Sequence, residues 1–146
     1  MNCELCAASS AAGAIWRNAK LTVVLVDDAA YPGFCRVIWN DHVKEMSDLA
    51  PAERALMMAA VWQVELALRA VMAPAKVNLA SLGNMTPHLH WHVIPRYLDD
   101  AHFPHPIWGQ VQRETAPSTL AARTALLAPL CAAIAMRLGA SMAALE

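Results

Sequence analysis

KVNLASLGNMTPHLHWHVIPR, residues 76–96, holds the densest chemistry of the 146-residue chain and its clearest fold signal. Its two flanks, Lys76–Leu82 and Pro87–Arg96, read as β-strands around Gly83-Asn84, a pair suited to the positive φ of a hairpin turn. In the second flank imidazoles alternate with apolar side chains: His88, Leu89, His90, Trp91, His92, Val93. Strand side chains alternate between faces, so this spacing predicts three imidazoles on one face and a core-directed face of Leu89, Trp91 and Val93. Three histidines offer no packing advantage over Val or Thr, so the face points to chemistry. One fitting chemistry is metal ligation, because His-x-His on a strand presents two nitrogens to one ion. The other is nucleophilic catalysis by a neutral imidazole, which keeps a lone pair at neutral pH.

Working outward, the upstream half alternates short β-like runs with turns. Ile15–Lys20, Leu21–Val26 and Phe34–Asn40 read as strands, the last two separated by Asp27-Asp28 and Tyr31-Pro32-Gly33. Pro51 to about Met72 predicts a helix, with Pro51 at the first position, Glu53 at the positive end of the dipole and Pro74 past the end. Tyr97–Gly109 reads as an ordered loop, and Ser118 onward as helix, interrupted near Pro129 and stopping at Gly139. Mixed strands with antiparallel connections and segregated helices define an α+β class. No repeat, linker or block of like charge divides the chain, so one domain over residues 1–146 is expected, a size at which neither disulfide nor metal is obligatory for folding.

The hydrophobic fraction is 58%, above the roughly 45–50% of soluble domains. Much of the excess is 30 alanines, which favour helix and bury little area each. The longest uncharged run of the apolar C-terminal region, between Arg123 and Arg137, is 13 residues and contains Pro129, whereas a helical span needs roughly 20. No membrane partner is therefore expected. A formal net charge of −1 argues against a non-specific nucleic-acid binder. The start, MNCELCAASS, lacks the pattern of a secretory signal, and four cysteines without one fit a reducing cytoplasm. No P-loop or Rossmann glycine pattern supports a kinase or dehydrogenase.

His88-Leu89-His90-Trp91-His92-Val93-Ile94 resembles the signature of the histidine triad (HIT) family, His-φ-His-φ-His-φ-φ with φ apolar, at every position. Upstream, Pro32-Gly33, the run Cys35–Trp39 and His42-Val43 resemble the family's Pro-Gly-His-x-Leu-Val-Ile…His-Val segment, and Asp48-Leu49, Asn78 and Gly83-Asn84 fit as well. The resemblance runs from about Cys3 to Arg96 and is weaker beyond Tyr97. It implies a HIT-like fold, an antiparallel sheet of about five strands with a long helix on it, usually as a homodimer. It also implies a nucleotide hydrolase or transferase with a covalent nucleotidyl-histidine intermediate, acting on a dinucleoside polyphosphate or an AMP derivative and needing no cofactor for its chemistry. Carried over by position, His90 would be the nucleophile, His88 would orient it and His92 would contact the phosphate or leaving group. Asp27, or the adjacent Asp28, would hold the ribose, Ile38 with Val24 and Val26 would line the base cleft, Asn84 would lie on the phosphate side, and Asn78 would belong to the substrate-binding polar hairpin before the triad. Cys3-Glu4-Leu5-Cys6 resembles the thiol pair with which some members bind zinc, His42 and His88 completing four ligands. Two positions depart from the pattern: Phe34 stands where a further histidine is common, and Met85 where a small hydroxyl residue is. These departures keep two other readings open, a nucleotide-binding or interaction protein without catalysis and a metalloprotein using the His face as ligands.

Overall fold

The structure is a computed structural model and describes residues 2–10 and 13–145. Its elements are α1 (Glu4–Ser10), β1 (Trp16–Arg17), β2 (Leu21–Leu25), β3 (Cys35–Trp39), α2 (Pro51–Met72), β4 (Lys76–Ala80), β5 (His90–Arg96), α3 (Pro117–Thr124) and α4 (Leu127–Ala143), with a 3-10 turn at Met46–Asp48 before α2. All five strands form one antiparallel sheet in the order β1-β2-β3-β5-β4, the α+β arrangement expected of a HIT-like fold.

One face of the sheet carries the core. Leu21 and Val23 of β2, Cys35, Val37 and Trp39 of β3 and Val93 of β5 are buried together with Met57, Ala60, Val61, Val64, Ala67, Leu68 and Met72 of α2. The helix forms there because its apolar residues recur at helical spacing and Glu53 accepts the Ala50 N–H at 3.0 Å, satisfying one free donor of the first turn. α4 adds Leu130, Ile134, Leu138 and Met142, spaced by four, and lies against α2. By length and apolar composition alone, α2 and the run Pro117–Ala143 would suffice to cross a bilayer; here their apolar stripes enter the core of the fold. Gly33 admits the chain into β3: its φ is 93°, which a side chain would strain, and a Cβ there would press on Met72 Sδ at 2.5 Å unless that side chain shifted.

Three local expectations are corrected. β4 and β5 are antiparallel neighbours, but residues 81–89 join them as an open loop, not a tight turn at Gly83-Asn84, because β5 begins only at His90. The C-terminal helical region breaks at Ala125–Leu126, not at Pro129. Pro129 is the third residue of α4, inside the first turn where the missing N–H has no partner to lose, and Gly139 stays helical between good helix formers.

Candidate active site

The sheet face turned away from α2 assembles the polar chemistry. Register pairs Ile38 of β3 with His90 and Arg36 with His92, so these four side chains are neighbours across two strands. His90 and His92 are buried at 6% and 5% exposure, and their rings meet edge to face with centroids 4.8 Å apart. His88 lies before the strand begins, and its ring turns to a different set of partners. The expected single face of three imidazoles is therefore two imidazoles on the strand and a third beside it.

Hydrogen bonds fix what each ring can do. A carbonyl oxygen only accepts, so the ring nitrogen facing it carries the proton. His90 Nδ1 donates to the His88 carbonyl at 2.6 Å, leaving the Nε2 lone pair available. His88 Nε2 donates to the Trp39 carbonyl at 2.6 Å, leaving its Nδ1 lone pair available instead. His88 thus orients His90 through its backbone and uses its own ring elsewhere. Burial lowers the pKa of His90, with the His88 hydrogen bond opposing and the Arg36 charge adding to the effect. Burial, then His90, then Arg36 bring His92 down to about 4.

The free nitrogen of His88 faces a cluster. His88 Nδ1 lies 3.4 Å from Cys3 Sγ, 3.4 Å from Cys6 Sγ and 3.2 Å from His42 Nδ1, while Cys6 Sγ lies 3.4 Å from His42 Nδ1. All four ligand atoms lie within 4.8 Å of one another. A tetrahedral zinc site with ordinary bond lengths has S–N edges of about 3.5 Å and N–N edges of about 3.3 Å. The donor set and its spacing fit such an ion, and the second nitrogen of His88 is held by a backbone carbonyl as metal-bound histidines commonly are. α1, with Cys6 in its first turn and Cys3 just before its start, lies beside β3 and brings both thiols to the cluster.

A buried ion pair holds the opposite end. Arg96 and Asp100, 2% and 1% exposed, meet at 2.7 Å (Nε–Oδ2), and Arg96 also donates to Asn78 Oδ1 at 2.7 Å and to the His105 carbonyl at 2.6 Å. Burial alone would raise the Asp100 carboxyl. Hydrogen bonds from Arg96 and the N–H groups of Tyr97, His102 and Phe103 instead hold it well below the usual carboxylate range. The Tyr31 hydroxyl donates to the same carboxylate at 3.1 Å. This hub pins the loop after β5 over the sheet, and Trp108 arrives against His92, ring centroids 5.1 Å apart.

The remaining expected residues are distributed unevenly. Ile38 is fully buried beside His90. Asn78 spends its amide oxygen on Arg96. Asp27 is exposed in the loop after β2, whereas Asp28 is used by the turn itself, its Oδ1 accepting the Ala30 N–H at 3.0 Å. Asn84 is exposed in the 81–89 loop next to Met85, which is 95% exposed. Phe34 packs against His92, centroids 5.6 Å apart. Arg36, a cation within an otherwise apolar strand, joins the same face, and its parity with Ile38 is the sequence signal that places it there.

The profile of the HIT domain family matches residues 9–99. The chain belongs to that family. Among curated relatives, the AP-4-A phosphorylase of Mycobacterium tuberculosis is 30% identical over 98 residues, which is 62% of this chain and 50% of the relative. The chain thus spans about half the length of that relative. A histidine triad protein from Bradyrhizobium japonicum has a similar structure, with TM-score 0.66, 29% identity and coverage of 83% of this chain and 86% of that one. A zinc-bound histidine triad family protein from Mycobacterium smegmatis shares the fold at TM-score 0.59 and 23% identity, over 91% of this chain and 98% of that one.

Proposed function

We propose that this HIT protein is a nucleotide hydrolase or transferase that works through a covalent nucleotidyl-His90 intermediate on a nucleoside phosphoric anhydride, ester or phosphoramidate. The observation that carries the reading is the 2.6 Å bond from His90 Nδ1–H to the His88 carbonyl, which aims a neutral Nε2 lone pair outward from a buried ring. His90 Nε2 forms a bond to phosphorus while the bond from phosphorus to the leaving group breaks, the leaving group taking the electron pair. Water then attacks the same phosphorus, the N–P bond breaks with its electron pair returning to Nε2, and the proton lost by the water passes to solvent. His88 positions the nucleophile, and His92 and Trp108 border the phosphate and leaving-group side. Ile38 contributes to the base cleft and Asp27 to ribose binding. The AP-4-A phosphorylase relative supports a dinucleoside polyphosphate or a related adenylate as the substrate class.

The reaction is assigned no cofactor. Zinc at Cys3, Cys6, His42 and His88 supplies, when bound, a four-ligand cross-link between α1 and the start of the triad segment. A cytoplasmic homodimer is the expected state, two-fold dimers being the commonest oligomers. A metalloprotein using all three triad histidines on one ion is disfavoured, because the His88 ring is committed to the thiol cluster. The test is turnover of a panel containing diadenosine tetraphosphate, ADP and adenosine 5′-phosphoramidate, with His90→Asn as control. Loss of at least about 10³-fold in the variant is expected. Equal turnover by both proteins would overturn the mechanism, and wild-type binding without turnover would favour a non-catalytic nucleotide-binding protein.

A further inference from the structure

Arg36 has no role in the proposed site so far, yet it stands at the centre of the polar face. It follows from the strand register that it lies directly across from His92 and on the same face as His90 and Ile38. Its Nε is buried without a hydrogen-bond partner, and so is Nδ1 of His92, itself 95% removed from solvent. Among the described residues no carboxylate pairs with this guanidinium; the ion pairs are Lys20–Glu53, Arg96–Asp100 and Arg123–Asp99. A half-buried cation beside two buried imidazoles, with no carboxylate to balance it, is an unfavourable arrangement in a protein without a ligand. It becomes favourable when an anion enters between Arg36 and the histidines. A planar guanidinium with several N–H donors suits phosphoryl oxygens.

Placement of the charge also bears on which bond is broken. Arg36 is paired with His92, at the leaving-group side of the proposed mechanism, and the position after Pro32-Gly33 is Phe34, which has no proton to give. His92, neutral beside this cation, is a poor proton donor at neutral pH. A departing amine or alkoxide needs a proton, whereas a departing phosphate leaves as a stable anion and needs charge stabilisation instead.

We propose that Arg36 binds the phosphate chain of the substrate and directs the site to phosphoric anhydrides, whose leaving group is itself a phosphate, over phosphoramidates. This rests on the His90 mechanism for the choice of bond, while phosphate binding by Arg36 stands apart from it. In the reaction, His90 Nε2 bonds to the phosphorus next to the nucleoside and the bridging P–O bond breaks. The oxygen keeps the electron pair, and the phosphate departs against Arg36 without needing a proton.

The experiment compares wild type, Arg36→Leu and Arg36→Lys on diadenosine tetraphosphate and on adenosine 5′-phosphoramidate, with ADP binding followed by calorimetry. Removing the guanidinium is expected to lower kcat/KM on the tetraphosphate about 100-fold and on the phosphoramidate less than about 5-fold, with partial recovery in the lysine variant. ADP affinity is expected to fall at least about 10-fold in Arg36→Leu. Equal losses on both substrates, or an ADP affinity unchanged by Arg36→Leu, would overturn the proposal. Thermal melting checks that the leucine variant is folded; if it is not, the ADP affinities of wild type and the lysine variant decide, with equal values counting against the role. Full turnover by His90→Asn would remove the mechanism of the previous section, and the ADP titration would still judge Arg36.

Discussion

The two ends of the triad segment use the same side chain for opposite ends. At the His88 end both ring nitrogens have partners: Nε2 donates to the Trp39 carbonyl, and Nδ1 lies within 3.4 Å of two thiols and a second imidazole. At the His92 end Nδ1 of the imidazole and Nε of Arg36 have none, and the neighbours are the rings of Phe34 and Trp108. Between them His90 is held on one nitrogen and free on the other. A satisfied end is built to hold its shape, and an unsatisfied one to receive a ligand. The partner of each ring nitrogen, more than the presence of a histidine, sets its role.

The comparison breaks most severely if the hub behind the His92 end is opened. Asp100→Asn leaves the Arg96 guanidinium buried without its counter-charge, and a loss of about 3–5 kcal/mol of folding stability is expected in urea denaturation. The nucleotide KM should rise with it, because the loop carrying Trp108 loses its anchor, while metal binding at the His88 end stays intact.

The converse variant is Cys3→Ser with Cys6→Ser. It should abolish the stabilisation that zinc confers on the wild type, about 3 kcal/mol at a hundredfold excess over Kd, read as a lost zinc-dependent rise in Tm. Zinc stoichiometry measured on both proteins checks the ligand set. A wild-type melt indifferent to zinc would erase the distinction between the two ends.

Lowering the pH sharpens the contrast from the other side. His92 titrates near 4 in the folded protein and near 6.5 when unfolded, so the unfolded chain binds the proton first. Stability is therefore full above about pH 6.5 and falls as pH drops toward 4, by at most roughly 3 kcal/mol from this group. In His92→Gln that part of the pH dependence should vanish in denaturant midpoints taken from pH 7 to 4.

The smallest expected effect belongs to Trp108→Ala. Loss of a half-exposed ring over His92 should raise the nucleotide KM about 3- to 10-fold with little change in Tm. An unchanged KM would mean that the ring covers the histidine without contributing to binding.

The same contrast explains what the sequence could disclose. The β-formers of Leu21–Leu25, the alternation in Cys35–Trp39 and His90–Arg96 and the Pro51 and Pro74 punctuation of α2 are local signals, and the sheet and long helix follow from them. The HIT fold was legible from the triad and the Pro-Gly segment together. The start of β5 at His90 was not, because His88 leaves the ladder to satisfy contacts with Trp39 and the N-terminal thiols, far away in the chain. Nor was the Arg96–Asp100 hub, whose network draws on Tyr31, Asn78 and the loop after β5 and exists only once the sheet is assembled. The break at Ala125–Leu126 carries no Gly or Pro, so composition pointed to Pro129 instead. Asp27 and Asn84 are exposed on loops, where only a bound nucleotide would reveal their use.

The catalysis proposed for this site turns on His90 becoming covalently nucleotidylated. The most direct measurement mixes the protein with diadenosine tetraphosphate, quenches in alkali during the first turnover and locates the adduct by peptide mass spectrometry. An adenylyl group on His90 is the expected result, absent in His90→Asn. Continued turnover with no adduct, or with the adduct on another residue, would contradict the account.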